Sequence, residues 1–205
     1  MKKELIKSVN AYLNENLAKT GFQRQGDWLL VQIAPGIVGR VTLNISSHRG
    51  DGLIGLSPNI FIESEVVRAE LNRLTGQKAS FLQPSLSSML GYLMPEKRFL
   101  EWLLDPNQPF DQRDEVPRMC LAIEIYGFEF MRKKGTMDEI TRCLEKLEYC
   151  FKERAVYHLP IIYRLNGQEE QSRICIATRL AEIKGRLDMA ADDFRAFADK
   201  FLQGA

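Results

Sequence analysis

The sequence predicts an α+β protein: an antiparallel sheet of about five strands with an N-terminal helix, followed by a C-terminal helical bundle. Strand-like runs rich in β-branched and aromatic residues occupy much of residues 22–104, whereas helix-period segments follow the polar, proline-containing stretch 105–117. The 205 residues are enough for a full hydrophobic core. We therefore divide the chain into a sheet domain, 1–104, and a helical region, 105–205, which packs on it or forms one domain with it.

The first helix is predicted over residues 2–19. Leu5, Val9 and Leu17 recur at helical spacing, which gives this segment one apolar face. Gly21 follows at the position where a helix commonly ends with a positive φ angle. The chain is then expected to become extended.

Three strands are predicted next, at 28–33, 37–46 and 53–62, with turn residues between them. In the middle strand apolar and polar residues alternate, so one face is expected in the core and the other in water. The residues expected in the core are Val41, Leu43 and Ile45. The residues expected in water are Arg40, Thr42, Asn44 and Ser46.

A short helix is predicted over 63–76, with Ser64 as its N-cap and Gly76 at its end. The next two segments, 85–94 and 98–104, are predicted to form a second hairpin. The sequence of the second segment is also compatible with a helix, so its type stays open.

Helices are predicted throughout the rest of the chain, beginning with 118–134, which ends at Gly135. The sequence TMDE (136–139) is a capping box and starts the next helix. The buried stripe of that helix is predicted to be Ile140, Leu144, Leu147 and Phe151. Pro160 is placed near the first turn of a short helix that ends at Gly167, and two more amphipathic helices follow.

Composition and motifs exclude several function classes. Lys+Arg 28 against Asp+Glu 27 gives a formal net charge of +1, which disfavours a dedicated nucleic-acid binder. The four cysteines lack metal-ligand spacing and are predicted to be reduced thiols of a cytoplasmic protein. No signal-peptide core or membrane span is recognisable. Nucleotide-binding glycine motifs and metal-ligand sets are also absent from the sequence, so no cofactor and no metal are predicted.

The stretch SSHRGDGLIG (46–55) concentrates the chemically capable residues of the sheet region. His48 and Asp51 could act as an acid–base pair, with Asn44 on the polar sheet face, which is the basis of an enzyme hypothesis. The glycines of this stretch instead favour a hairpin turn, in which Arg49 and Asp51 lie at the tip and contact a partner.

Two tryptophans, Trp28 and Trp102, lie on predicted strands. Packing in the core or at its rim is their default role, and anchoring an interface is the alternative, because tryptophan is enriched at binding hot spots. No catalytic residue is predicted. The predicted partner-binding set is His48, Arg49, Asp51, Trp28 and Trp102.

The first third of the chain carries a characteristic arrangement of turn and strand residues. A GF-basic-x-G pattern precedes a strand, a second strand ends in a serine-rich turn, and a third strand carries an asparagine. These positions, within residues 2–75, are Gly21, Phe22, Arg24, Gly26, Ser46, Ser47 and Asn59. The arrangement resembles a bacterial family of uncharacterised domains whose members often resemble immunity-type proteins. The resemblance implies a non-enzymatic protein that binds and occludes a cognate toxin; an enzyme of unknown reaction is the alternative.

Overall fold

The computed structural model describes residues 2–47, 52–76, 84–110 and 113–204. An N-terminal helix, an antiparallel sheet and a series of C-terminal helices are present, so the predicted α+β class is confirmed. The contacts group the chain into two compact units. Unit 1 comprises Met1–Ile62 and Ser87–Thr136, and unit 2 comprises Glu63–Leu86 and Met137–Ala205. The division at residue 105 stays a prediction.

Unit 1 holds the sheet and the helices that cover it. Its elements in order are α1 (Lys2–Leu17), a 3₁₀ turn (Ala18–Thr20), β1 (Gln23–Gln25), β2 (Trp28–Ala34), β3 (Ile37–Ser47), β4 (Ile54–Ser64), β5 (Leu86–Met89), α3 (Leu90–Leu93), β6 (Trp102–Leu104), α4 (Glu115–Ala122), a π-helical segment (Ile123–Phe128) and α5 (Glu129–Lys134). The predicted first helix and the three long strands are confirmed within two residues at each end. Gly21 ends the 3₁₀ turn with φ +90°, as predicted.

The strand order is β1-β2-β3-β4-β5, and β6 pairs antiparallel with the start of β4. The predicted second hairpin is therefore wrong: helix α3 follows β5 directly, and β6 takes β4 as its partner. Gly91 explains the tight turn. A side chain there would overlap the Arg98 carbonyl, so the chain folds back against bare backbone.

One face of the sheet packs against the segment that runs from α4 to α5. Phe22, which follows α1, meets Phe128 edge-on with ring centroids 5.7 Å apart. The sheet and this segment can approach closely because glycines lie at the contact, where a Cβ atom would crowd the opposing side chain. These contacts are Gly39 with Met131, Gly127 with Ile60, and Gly135 with Ile33.

The helix predicted as continuous over 118–134 begins earlier, at Glu115, and contains the six-residue π segment. Such a segment adds one residue to a helical turn and shifts the face that meets the sheet. Gly127 lies within it and is buried against β4.

The alternation predicted for β3 holds only in its first half. Val41 is 1% exposed, but Ile45 on the same side is 43% exposed. The covered part of this face therefore ends before Ile45. Alternation in the sequence does not indicate how far the covering helix extends along the strand.

The described residues of unit 2 are helical, apart from the end of β4 and Leu86, which begins β5. Its helices are α2 (Glu65–Thr75), α6 (Met137–Glu145), α7 (Lys152–Leu165), α8 (Glu169–Glu182) and α9 (Met189–Gln203). Helix α2 has the predicted ends: the Ser64 hydroxyl accepts a hydrogen bond from the Val67 amide, and Gly76 adopts φ +65°. An aromatic cluster joins α7 to α9, with Tyr157 edge-on to Phe194 and Phe197 at 5.2 and 4.9 Å between centroids.

The predicted position of Pro160 near the start of a helix is wrong. Pro160 lies inside α7, which begins at Lys152. A proline there removes one backbone hydrogen bond and normally disfavours the helix. Helix α7 is buried along most of its second half, and His158, two residues before the proline, is only 2% exposed. Tertiary packing therefore outweighs the local cost.

Leu147 and Phe151 do not extend the buried stripe of α6, which was predicted to include them. The helix ends at Glu145, and the two side chains are 46% and 68% exposed. The Glu148 amide donates to the Cys143 carbonyl at 2.8 Å and the Leu147 amide to the Leu144 carbonyl at 3.2 Å. This is the Schellman pattern of a helix C-terminus, and its left-handed residue is Leu147 instead of the usual glycine.

Candidate functional site

The hairpin tip predicted to contact a partner or to hold an acid–base pair lies outside the described residues, since His48, Arg49 and Asp51 all fall there. The strands on either side of it end at Ser47 and begin at Ile54, as a β3–β4 connection requires. Asn44 is exposed on β3. The roles proposed for these four residues stay predictions.

Trp28 is half-buried on β2 and carries neighbours on both sides. Its ring is tilted against Phe61 with centroids 5.4 Å apart, and the Arg40 guanidinium lies 5.6 Å from its centroid. A cation at this distance is attracted to the face of the indole. Trp28 is therefore held by packing and remains partly accessible.

Trp102 is in a different environment. It pairs with Leu56 across β6 and β4 and is only 7% exposed. Its indole therefore packs in the interior of unit 1, where it contributes buried apolar area.

A surface that contains none of these residues lies in unit 2. It is a cavity of about 400 Å³ between α6, α7 and α8, and we call it the apolar groove. Its apolar lining residues are Leu144, Leu147, Ala155, Val156, Leu159, Ile174 and Cys175. Of these residues, Leu147 and Ile174 are 46% and 47% exposed. Phe151, which immediately precedes the lining residue Lys152 in the sequence, is 68% exposed.

Charged residues form part of the edge of the apolar groove. The Lys152 ammonium and the Arg179 guanidinium contact the two Glu182 carboxylate oxygens at 3.0 and 2.9 Å. Hydrogen bonds from Arg179 and Lys152 lower the pKa of Glu182. An apolar floor with a polar edge is the usual composition of a protein–protein interface.

The loop after α6 carries an unusual backbone beside this groove. Leu147 and Tyr149 adopt φ +55° and +59°, a region that bulky residues rarely occupy. Conformations of this kind cost energy and are found preferentially at binding sites and switch segments. The loop thus holds the Leu147 side chain at the groove at the expense of backbone strain.

A second concavity of about 410 Å³ lies in unit 2, and we call it the polar cavity. Its lining residues are Asp138, Thr141, Arg142, Glu145, Tyr163, Asn166 and Gln168. The Tyr163 hydroxyl donates to Glu145 Oε1 at 2.5 Å. Burial and this hydrogen bond raise the pKa of Tyr163 above its usual range. Glu145 lines both the polar cavity and the apolar groove, so the two adjoin at this residue.

The Arg142 guanidinium is bound to its own neighbours. It contacts the Glu139 carboxylate at 3.0 Å and the Glu148 carboxylate at 3.1 Å. Hydrogen bonds to these two carboxylates raise the pKa of Arg142 above its usual range, and the bond to Glu139 has the larger effect. The cation of the polar cavity is therefore already compensated.

Three of the thiols, Cys120, Cys150 and Cys175, have environments that disfavour the reactive thiolate. All four cysteines are free. Burial raises the pKa of Cys120 and of Cys150 to about 11 in each case. Thiolates are the nucleophilic form, so neither side chain is activated near neutral pH. Across the described ranges, no group of three or more His, Cys, Asp and Glu side chains is placed to hold a metal ion.

Sequence reasoning missed the exposed residues of the apolar groove because it assigned Leu147 and Phe151 to a buried stripe. A usable signal was present in α8. Ile174 and Ile176 are two residues apart, about 200° around a helix, so one core-facing stripe cannot contain both. Ile176 is indeed 1% exposed, whereas Ile174 faces the groove.

Comparisons with protein-family models, with curated proteins and with solved structures gave no match. Among the helices of the described residues, none combines the length and the apolar character needed to cross a membrane.

Proposed function

We propose that this chain is a non-enzymatic protein-binding protein, acting in the cytoplasm, which neutralises a partner such as a cognate toxin by occluding it. The observation that supports this proposal is the apolar groove of unit 2, with Leu147 and Ile174 nearly half exposed at its side. Exposed apolar side chains grouped around a concave surface mark a site that another molecule covers.

Occlusion needs area, complementarity and a slow release rate, and it needs no reacting group. The apolar groove offers a long apolar surface with charged residues at its edge. A partner that covers this surface would exclude water from the contact. Cys175 lines the groove, and burial raises the pKa of its thiol. The groove therefore does not activate this thiol as a nucleophile.

Co-expression of the full chain with each product of the neighbouring genes in its host tests the proposal. One product should co-purify as a stable complex, and its toxicity should disappear when the chain is present. Ile174→Asp should abolish both effects, because a partner that covers the groove would bury an unpaired carboxylate. The proposal is overturned if no neighbouring product forms a complex, or if Ile174→Asp binds like the wild type.

Leu187→Asp is the matched control. Leu187 belongs to unit 2, is 93% exposed and lies outside the groove lining, so the same substitution there adds the same charge without touching the site. It should leave complex formation and protection unchanged. Circular dichroism of both variants shows that each retains the wild-type fold.

A further inference from the structure

We propose that the partner segment bound by the apolar groove is an amphipathic helix with a lysine or arginine beyond one end of its apolar stripe. The basic side chain enters the polar cavity while the stripe covers the groove. This inference rests on the proposed function and specifies the chemistry of the partner.

The two concavities follow one another along helix α7. Helix α7 contributes Ala155, Val156 and Leu159 to the apolar groove, and one turn further on it contributes Tyr163 to the polar cavity. Glu145 of α6 lies at the point where they meet. A helix that lies in the groove along α7 would therefore bring one of its ends to the polar cavity.

The length of the groove fits a helix. The residues of α8 that line it extend from Gln171 to Glu182, which corresponds to about 16 Å, or three helical turns. Amphipathic helices use residues at i, i+3, i+4 and i+7 to fill apolar grooves of this kind. A partner helix of about three turns would match that length.

The charge of the polar cavity selects the basic residue. Within the described part of the chain, the Asp138 carboxylate has no ion-pair partner, and Glu145 accepts a hydrogen bond from a neutral tyrosine. The guanidinium of Arg142 is taken up by Glu139 and Glu148. The Thr141 hydroxyl donates to the Met137 carbonyl.

The lining also holds the Asn166 and Gln168 side-chain amides, which can both donate and accept, and it retains the Asp138 and Glu145 carboxylates as charged acceptors. An ammonium or guanidinium group supplies donors and opposite charge together, and such charge-assisted hydrogen bonds are the strongest available to a side chain. An acidic end to the helix would instead place a like charge beside Asp138 and Glu145, which disfavours binding.

Selection from a phage-displayed library of amphipathic helices tests the inference. The library fixes leucines along one stripe and randomises the positions one turn beyond each end. The full wild-type chain should enrich lysine or arginine about tenfold at one of these positions. The double variant Asp138→Asn/Glu145→Gln should still select the apolar stripe but lose the basic preference. Asp193→Asn/Asp199→Asn, which removes the same charge from α9, should select like the wild type.

The outcomes separate the two proposals. Apolar selection without a basic preference, or a basic preference unchanged in the Asp138→Asn/Glu145→Gln variant, overturns this inference and leaves the proposed function standing. A library in which no helix binds, or in which binding survives Ile174→Asp, removes the groove from both proposals. Sedimentation velocity of the chain alone gives the remaining result: a dimer abolished by Ile174→Asp assigns the groove to a second copy and overturns the inference.

Discussion

Leu147 occupies a backbone conformation that favours glycine, at the C-terminus of α6, with φ +55°. A residue with a Cβ pays roughly 1–2 kcal/mol there. We predict that Leu147→Gly is about 1 kcal/mol more stable than Leu147→Ala, since both lose the isobutyl group and glycine also relieves the strain. Chemical denaturation of the two variants measures the difference. Equal free energies of unfolding for the two variants would contradict backbone strain at Leu147. Weaker partner binding by both variants would show that the leucine side chain contributes to binding.

The buried thiols predict how stability depends on pH. Burial raises the pKa of Cys120 and Cys150 from 9.0 to about 11, so the folded state retains protons that the unfolded state releases. Because folded protein binds more protons in this interval, the free energy of unfolding should fall from pH 9 to about 11. Alkylation by iodoacetamide should likewise rise toward pH 11 in native protein and near pH 9 in urea. Coincident native and unfolded profiles would contradict the burial of these thiols.

At the scale of elements, the sheet of unit 1 and its helical cover meet through glycines, and Gly135 is the most constrained. An added Cβ would overlap both Ile33 and the carbonyl of Met131, and backbone cannot move as a side-chain end can. At Gly39 the principal obstacle is the flexible Met131 thioether. We predict that Gly135→Ala lowers the free energy of unfolding by about 1–3 kcal/mol, and more than Gly39→Ala does.

Gly204→Ala is the control for these packing substitutions, because its nearest neighbours would lie 3.5 Å from the new Cβ and its φ angle is −89°. It should change stability by less than about 0.5 kcal/mol. Urea denaturation of the three alanine variants gives the order. Gly135→Ala as stable as Gly204→Ala would contradict the close contact of α5 with β2.

The elements that sequence reasoning located correctly have local signals. Helix α2 has its serine cap and terminal glycine, and strand β3 has its alternation. The errors concern features that depend on distant contacts. Pro160 is accommodated inside α7 by burial, and the π segment places Gly127 against the sheet. Neither feature has a local sequence signature.

At the scale of the whole molecule, the candidate site was the least predictable part. Reactive residues such as His48 and Asp51 attract attention in a sequence, whereas the apolar lining of the groove consists of leucine, isoleucine, valine, alanine and cysteine side chains that resemble core residues. Whether such a residue is covered depends on where α6 ends and on which face of α8 is turned outward. Both are properties of the packed unit, and periodicity determines them only in part.

The two candidate surfaces lie on different units, and one kinetic comparison with the identified partner distinguishes them. We predict that Ile174→Asp increases the dissociation rate about 100-fold or more, a loss of about 2.7 kcal/mol, because the new carboxylate is desolvated without a partner. If the groove binds the partner, Arg49→Ala and Asp51→Ala should leave the dissociation rate unchanged, since neither residue belongs to the groove lining. Biolayer interferometry of the three variants measures both rates. Fast dissociation of the Arg49 and Asp51 variants with a normal rate for Ile174→Asp would assign binding to the hairpin of unit 1.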